Sequence, residues 1–281
     1  MKSCPTCGKA YEESARFCME DGTSLEEEAV ADPMVGLVVD GRYRIAGKIG
    51  EGGFGAVYVA RHLKLPRDVA LKVMWDGTAT TAPQLRRFEY EVQAIVAIAH
   101  PNIVHVYDFG RDAKIGPWVA MERLEGLDLG ERIKNGPELT IFEIMAVMKS
   151  VCRALDAAHG TGVIHRDVKP SNIFLADDPE QLHGFSVRLL DFGIATASSV
   201  GHTIEGMEAE KTADNRVVGT PAIMSPEQVK GLELDGRADI YSLGVVLYNM
   251  LTRRNLFKAS TAQELLIKHV LEAPANPSDS T

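Results

Sequence analysis

Two short motifs in the second half of the chain constrain its fold and chemistry more than any other feature. The first spans residues 165–172 and reads His-Arg-Asp-Val-Lys-Pro-Ser-Asn, and the second spans residues 191–193 and reads Asp-Phe-Gly. Together they supply a proton acceptor, a cation and two side chains that can ligate a divalent metal ion: Asp167, Lys169, Asn172 and Asp191. Transfer of a phosphoryl group requires this combination of groups. The joint order and spacing disfavour the alternative that these are polar loop residues without a chemical role.

Composition places the chain among globular proteins and narrows its partners. Of its 281 residues 45% are hydrophobic, which is enough for a substantial core and for more than one domain. The net charge of −9 disfavours a general nucleic-acid or anionic-membrane surface, so we expect no nucleic-acid partner. No apolar run approaches the ~18–20 residues that cross a bilayer, and the N-terminus lacks the apolar core of a signal peptide. We therefore expect a cytoplasmic protein, or the cytoplasmic part of a longer, membrane-anchored one.

Hydrophobic periodicity divides the chain into a strand-rich part and a helix-rich part. Short runs of β-branched and aromatic residues, typical of strands, occur in residues 43–121, interrupted by an amphipathic helical pattern over residues 85–99. Beyond them the apolar residues follow helical spacing, most clearly over residues 141–155. We predict an α+β architecture of two lobes with a cleft between them: a β-rich N-lobe over residues 41–121 and a helical C-lobe over residues 127–281.

A glycine cluster, G-x-G-x-x-G-x-V, lies between two predicted strands at residues 50–57. Three glycines can simply form a tight turn, and the motif alone does not decide between a turn and a binding loop. A P-loop is excluded because Ala56 and Val57 follow the last glycine in place of a lysine and a hydroxyl residue. A Rossmann turn is excluded because a strand pattern, not a helix, comes next. The remaining interpretation is a hairpin whose glycines let backbone amides approach a triphosphate.

Lys72 lies on a predicted apolar strand, seventeen residues after the last glycine of this cluster. A lone lysine is most often a solvated surface residue, but one flanked by apolar neighbours on a buried strand needs an anionic partner. The helical pattern that follows offers Glu89 and Glu91, although either glutamate could also belong to a solvated helix face.

Taken together, these motifs resemble those of protein kinases over about residues 41–281. A lysine two positions after the aspartate of the first motif, as at Lys169, is typical of the serine/threonine branch. The resemblance implies a two-lobed protein kinase fold that uses ATP with Mg²⁺ or Mn²⁺ to phosphorylate protein serine and threonine hydroxyls, with self-association during autophosphorylation. The chain also has Cys4, Cys7 and Cys18 in a pattern similar to a short zinc ribbon. Chains that combine such a ribbon with a kinase domain are bacterial Hanks-type kinases, so the resemblance extends to that group.

The resemblance also assigns roles to individual residues of the two lobes. Lys72 would bind the α- and β-phosphates of ATP and form an ion pair with Glu91. Asp167 would be the catalytic base, and Lys169 would neutralise charge on the transferring phosphoryl group. Asn172 and Asp191 would ligate the metal ion of ATP. Together with these two, the residues expected to contact ATP are Ile49, Gly50, Gly52, Gly53, Gly55, Val57, Ala70, Lys72, Met121, Glu122, Leu124 and Asp128.

Residues 121–124 resemble the hinge between kinase lobes. Met121 would be the gatekeeper, and backbone groups of Glu122 and Leu124 would bond the adenine. Asp128 would reach the ribose.

Residues 191–227 resemble a kinase activation segment. Arg166 could pair with a phosphate on this segment, and Thr212 is the first choice among the candidate phosphorylation sites Ser198, Ser199, Thr203 and Thr212. Thr220 is expected to be structural. Ile223 replaces the aromatic residue usual before Met-Ser-Pro-Glu, which would alter the peptide-binding surface. Asp239 is expected to hold the catalytic loop.

The chain departs from the kinase pattern after Glu227. Only 54 residues follow it, and nothing after Leu271 supplies the arginine that pairs with this glutamate in kinases, so we expect a truncated C-lobe, from a fragment or a shortened kinase. Two functional classes therefore stay open: an active kinase, and a kinase-like scaffold or pseudokinase that is inactive through the truncated lobe. The presence of every phosphoryl-transfer residue favours the first.

The N-terminal cysteines form a separate pattern over residues 1–25, which an acidic linker over residues 26–40 would join to the kinase domain. The pattern resembles a zinc ribbon, with candidate ligands Cys4, Cys7, Cys18 and Asp21. The family usually carries a cysteine at the last position, so a metal-free or weakly binding knuckle is the alternative to a Zn²⁺ site. Cys152 lies on a predicted apolar helix face, where we expect a buried core cysteine.

Overall fold

The structure is a computed structural model that describes residues 2–4, 6–12, 15, 17–21, 32–52, 55–74, 82–192 and 220–280. Its first residues form an antiparallel hairpin of strands β1 (Lys2–Ser3) and β2 (Ala10–Tyr11). The remainder forms two lobes, a β-sheet lobe with one helix and a mainly helical lobe. The predicted two-lobed α+β architecture is confirmed.

The N-lobe is a six-stranded antiparallel sheet in the order β3-β4-β5-β6-β8-β7. Its elements are β3 (Val38–Val39), β4 (Tyr43–Gly52), β5 (Gly55–His62), β6 (Asp68–Met74), α1 (Ala82–Val96), β7 (Val106–Asp112) and β8 (Gly116–Glu122). Helix α1 buries Phe88, Val92 and Ile95 of the predicted apolar pattern, but it ends at Val96, and Ala99, the last position of that pattern, is exposed.

The C-lobe combines helices with a small antiparallel sheet in the order β11-β10-β9. Its elements are β9 (Gly126–Asp128), α2 (Leu129–Asn135), α3 (Ile141–His159), β10 (Ile173–Asp177), β11 (Phe185–Leu189), α4 (Pro226–Val229), α5 (Arg237–Thr252) and α6 (Ala262–Leu271). Short 3-10 turns occupy Pro170–Asn172, Thr220–Ile223 and Pro277–Ser280.

One apolar cluster runs through both lobes. It begins with Val92 of α1 and Met121 of β8 and continues through Leu129, Val151 and Leu189 of the C-lobe, all of them buried. The segment after α1 is also hydrogen-bonded to the C-lobe, because the Val104 backbone N–H donates to the Leu189 carbonyl at 3.0 Å. The cleft between the lobes therefore has a continuous, packed rear wall.

Helix α3 departs from the expected apolar face. Thr140 and Glu143 form a capping box that starts the helix, and its buried positions are Ile144, Val147, Val151, Ala154, Leu155 and Ala158. Ile141 and Met145, expected on that face, are 57% and 61% exposed. Cys152 is exposed as well, so the prediction of a buried core cysteine is wrong. Helical spacing alone does not decide which residues at the border of an apolar face are buried. In α3 the buried face lies about one residue position away from the predicted one, because the neighbouring elements pack there.

The predicted linker over residues 26–40 meets the N-lobe sheet within its described part. Val39 is buried and pairs with Tyr43, and Asp32 accepts a hydrogen bond from the Tyr58 hydroxyl at 3.3 Å. Two apolar residues beside an Asp-Gly turn thus form an edge strand of the sheet. Residues 26–31 lie outside the described residues, and their role as a linker stays a prediction.

A tight contact in the N-lobe gives a stability test. A Cβ atom at Gly110 of β7 would lie 2.8 Å from the Trp118 ring, which is fully buried and also contacts the Tyr43 ring and the Arg42 guanidinium. Because that ring has nowhere to move, Gly110→Ala should lower the free energy of unfolding by ~1–3 kcal/mol. Gly47→Ala is the matched control, since a Cβ built there has no atom of the described segments within 4 Å. Thermal denaturation of both variants checks this, and equal melting temperatures would contradict the packing described.

Candidate active site between the lobes

The catalytic loop is organised around a fully buried imidazole, that of His165. Its Nδ1 accepts from the Asp167 backbone N–H at 3.2 Å, and its Nε2 lies 2.8 Å from the Leu190 carbonyl. Because Nδ1 is an acceptor, Nε2 carries the hydrogen and donates to Leu190. Burial lowers the pKa of His165 and keeps the ring neutral, despite nearby Asp239. The ring also packs against Phe192 at a centroid distance of 4.5 Å. His165 thus ties the two sequence motifs together.

Asp239, at the start of α5, anchors the same loop, as the sequence predicts. Its carboxylate accepts from the backbone N–H groups of His165 at 2.8 Å and Arg166 at 2.7 Å. The His159 ring, at the end of α3, lies 2.7 Å from the same carboxylate. Arg166 has a positive φ of 65°, a conformation that costs ~1–3 kcal/mol in a residue with a side chain. The two backbone bonds to Asp239 hold Arg166 in it and so aim the next residue, Asp167, at the cleft.

Two predicted catalytic side chains, Asp167 and Lys169, meet the predicted metal ligand Asn172 directly after this anchor. The Lys169 Nζ lies 2.7 Å from the Asp167 Oδ2, and the Asn172 side-chain amide donates to that oxygen at 3.0 Å and to the Asp167 carbonyl at 2.8 Å. Asp167 and Asn172 are 8% and 5% exposed. This geometry holds a carboxylate, an ammonium group and an amide oxygen together, which suits a base beside a phosphate and a metal ion.

Lys72 and Asp191 join the two lobes across the cleft. The Lys72 Nζ, on strand β6, lies 2.7 Å from the Asp191 Oδ2. Burial would raise the pKa of Asp191, but the charge and the hydrogen bond of Lys72 outweigh it and leave that pKa below its usual value. The carboxylate is therefore ionised and can ligate a divalent cation. Glu91 is half-buried on α1, and its ion pair with Lys72 stays a prediction.

The glycine cluster forms the hairpin between β4 and β5, as its spacing predicts. Gly52 pairs with Gly55, and a Cβ at Gly55 would lie 2.1 Å from the Val73 carbonyl oxygen, so only glycine fits there. Among the residues that the structure describes, no atom lies within 4 Å of a Cβ built at Gly50 or Gly52. Gly53 lies outside the described residues, and Ile49 and Val57 flank the hairpin on β4 and β5.

The predicted hinge begins in the last two residues of β8. Met121 pairs with Ala70 of β6 and is 8% exposed, so both side chains line the buried rear of the cleft. The Glu122 carboxylate accepts from the His105 backbone N–H at 2.9 Å, and Arg188 of β11 lies 3.5 Å away. Asp128 caps α2 by accepting from the Glu131 N–H at 3.0 Å. Contacts of these residues and of Leu124 with a nucleotide stay predictions.

The predicted ligands at the N-terminus also meet. The ligand atoms of Cys4, Cys7, Cys18 and Asp21 all lie within 4.8 Å of one another. The Cys7 and Cys18 Sγ atoms are 3.5 Å apart, and the Cys4 Sγ is 3.4 Å from an Asp21 carboxylate oxygen. Tetrahedral Zn–S bonds of ~2.3 Å imply sulfur separations of roughly 3.8 Å, so the spacing fits zinc. Burial would raise the pKa of Cys4, but hydrogen bonds from the Cys7 and Thr6 backbones outweigh it and lower that pKa.

The predicted phosphorylation sites Ser198, Ser199, Thr203 and Thr212 lie outside the described residues. The C-terminal end of the activation segment is described from the turn Thr220–Ile223 onward. There Ile223 is buried, and its carbonyl accepts from the Ser242 hydroxyl at 2.8 Å. Sequence analysis missed one contact of this region: the Gln228 side-chain amide donates to the Arg166 carbonyl at 2.8 Å.

No helix among the described ranges is long and apolar enough to span a membrane.

Comparison with known proteins agrees with this geometry. Residues 43–278 match the protein kinase domain family, so the chain belongs to that family. Relatives include a probable serine/threonine-protein kinase of Clostridium acetobutylicum (36% identical; 88% of this chain, 35% of that protein), pkn3 of Myxococcus xanthus (37%; 88% and 44%) and PrkC of Bacillus subtilis (38%; 87% and 36%). The chain thus spans well under half the length of these bacterial serine/threonine-protein kinases.

A solved structure shows the same fold. The kinase domain of Mycobacterium tuberculosis PknI is 26% identical, with a TM-score of 0.64 over 87% of this chain and 83% of that one. Members of the protein kinase family use ATP with Mg²⁺, and the residues present fit that use.

The anchor of the catalytic loop can be tested directly. Asp239→Ala would leave the buried N–H groups of His165 and Arg166 without their acceptor, which should lower the free energy of unfolding by ~3–5 kcal/mol. Asp235→Ala is the control: this exposed aspartate at the same end of α5 accepts from the Arg237 backbone N–H, and its loss should cost only ~1 kcal/mol. Urea denaturation measures both. Indistinguishable midpoints for the two variants would show that Asp239 does not hold the loop.

Proposed function

We propose that this chain is an ATP-dependent serine/threonine protein kinase. The observation that carries the proposal is the pair of contacts that hold the predicted groups: Lys72 and Asp191 lie 2.7 Å apart between the lobes, and Asp167 contacts both Lys169 and Asn172 in the catalytic loop. A pseudokinase commonly lacks one of these groups, and this chain has all of them. The relatives named above, which are serine/threonine-protein kinases, support the same activity.

The proposed reaction follows from the position of each group. Asp167 accepts the proton of the incoming serine or threonine hydroxyl, and Lys169, already paired with it, stabilises negative charge on the transferring phosphoryl group. Lys72 binds the α- and β-phosphates. Asn172 and Asp191 would hold Mg²⁺, which supplies charge neutralisation on the phosphate oxygens when bound. Because Asp191 is ionised and paired with Lys72, its oxygens are already oriented within the cleft.

We further propose that the acceptors are hydroxyls of proteins, including a second copy of this chain, and that the reaction takes place in the cytoplasm, where ATP is available. Autophosphorylation would fall on the segment before Thr220, with Thr212 as the first candidate. A role as a kinase-like scaffold is the alternative that the next experiment separates from this one.

Loss of either lobe-bridging charge should abolish the reaction. Lys72→Met and Asp191→Asn should each lower phosphotransfer by roughly three or more orders of magnitude, because each removes a group that stabilises the transferring phosphate. Incubation with ATP and Mg²⁺, followed by intact-mass measurement and an assay of radiolabel transfer to myelin basic protein, measures this. The matched controls are Lys64→Met and Asp177→Asn, both at exposed positions, which should keep wild-type activity. A wild-type chain that binds ATP and transfers nothing would be a scaffold, and active Lys72→Met protein would remove the site assignment.

We also propose that Cys4, Cys7, Cys18 and Asp21 bind one Zn²⁺ ion, since three thiolates and one carboxylate at these separations form a tetrahedral donor set. So short a segment cannot bury a core unaided, and metal binding would supply its folding free energy. The buried Cys4 and Cys18 contact Tyr11 and Ala15, the partly buried residues packed around them.

Removal of the metal gives a separate test. Purified protein should contain about one equivalent of zinc by elemental analysis, and Cys7→Ser should lose most of it because a thiolate ligand is missing. Cys152→Ser, at an exposed position in the C-lobe, is the control and should keep its zinc. Chelation should make the N-terminus sensitive to protease and leave ATP affinity unchanged. Metal-free protein with a protease-resistant N-terminus would exclude the zinc site.

A further inference from the structure

The nucleotide hairpin of β4 and β5 has two faces with different surroundings. On the cleft face, Val57 of β5 packs against the apolar cluster that runs through both lobes. On the opposite face, Ala56 and Tyr58 are buried in a second apolar cluster, which N-lobe residues form. Glu51 pairs with Ala56, and Lys48 pairs with Tyr58, across the two strands. Because directly opposite residues share a face of the sheet, Lys48 and Glu51 lie on the side away from the cleft.

Lys48 joins two carboxylates on this outer face. Its Nζ donates to the Glu51 carboxylate within the hairpin and lies 3.8 Å from the carboxylate of Asp32, which precedes the sheet. The side chains of Lys48 and Asp32 are 32% and 22% exposed, so both are largely shielded from solvent. One ammonium group therefore links the segment before the sheet to the residue between the first two glycines of the hairpin.

Asp32 is itself fixed to the sheet. Its carboxylate accepts from the Tyr58 hydroxyl at 3.3 Å and from the Met34 backbone N–H at 2.9 Å. Further along this segment, the Leu37 carbonyl accepts from the Ile45 backbone N–H at 2.9 Å. The Met34 and Leu37 side chains pack against the apolar cluster of the N-lobe. Hydrogen bonds and packing thus hold Asp32 in place independently of Lys48.

We propose that Asp32 and Lys48 are positioning residues for the nucleotide, which hold the hairpin from its outer face. The contacts from Asp32 through Lys48 to Glu51, here called the brace, restrict the hairpin whose other face would cover the triphosphate. A hairpin that is already held in place loses less conformational freedom when phosphates bind, so the brace contributes to nucleotide affinity. The inference rests on the proposed kinase function.

Removal of either member of the Lys48–Glu51 pair should weaken nucleotide binding. Lys48→Met keeps an apolar stem and removes the charge, and Glu51→Gln keeps the shape of an exposed side chain. A partly exposed ion pair is a weak interaction, so each variant should raise the Kd for MgADP and the KM for ATP only about threefold. The kcat and the KM for myelin basic protein should not change. Lys64→Met, at an exposed position after β5, is the matched control and should bind MgADP like wild type.

The double variant separates one joint action from two independent charge effects. If Lys48 and Glu51 act together, Lys48→Met combined with Glu51→Gln should bind MgADP no more weakly than either single variant. Multiplied losses of about ninefold would overturn the proposal. Wild-type affinity in both single variants would overturn it as well.

Hydrogen exchange tests the brace without nucleotide. In the free chain, the amides of residues 48–52 should exchange faster in Lys48→Met than in wild type or Lys64→Met, whereas those of α5 should not change. Equal exchange at residues 48–52 would overturn the proposal. A wild-type chain that binds MgADP but transfers no phosphate would remove the proposed function, and the Kd values would still decide the role of Lys48. An active kinase whose Kd is the same in Lys48→Met would remove the brace alone.

Discussion

Asp239 accepts hydrogen bonds from the backbone of two consecutive loop residues, His165 and Arg166, and the position of the catalytic groups depends on this one carboxylate. Arg166 adopts a left-handed conformation that is unfavourable for a residue with a side chain, and Asp239 compensates for it with two charge-assisted bonds. Asp167 follows directly and is aimed at the cleft. From there Lys169 and Asn172 take their positions by bonding to Asp167, so one carboxylate on α5 orders the whole loop.

The second constraint is the charge pair across the cleft. Lys72 comes from the sheet of the N-lobe and Asp191 from the motif that follows β11, so their 2.7 Å contact requires both lobes in their observed arrangement. The continuous apolar cluster behind the cleft supplies that arrangement, since it packs α1 and β8 against the C-lobe. Phe192, beside Asp191, is buried against His165, which links the charge pair to the same loop that Asp239 anchors. The two halves of the site are thus coupled through packed side chains.

The N-terminal cysteines show how far ligand spacing alone can predict a site. Two cysteines separated by two residues form a knuckle for local reasons, and the structure brings Cys4 and Cys7 together as expected. The partners Cys18 and Asp21 depend on the hairpin of β1 and β2, which returns the chain to the knuckle. The four side chains that meet are therefore those that the sequence pattern predicts. The fourth is a carboxylate because the chain has Asp21 where the ribbon pattern usually has a cysteine.

The chemical groups and the class of fold were determined by the sequence alone, because phosphoryl transfer needs particular residue types at fixed short spacings, and strand and helix patterns differ in period. The tertiary structure decided which of those groups touch. The bond from His165 to Asp239 joins residues 74 positions apart, and the tautomer of His165 follows from a carbonyl 25 positions away. The exposure of Cys152 and Met145 was likewise decided by the neighbours of α3. Periodicity describes a helix by itself, whereas burial and ionisation depend on what packs against it.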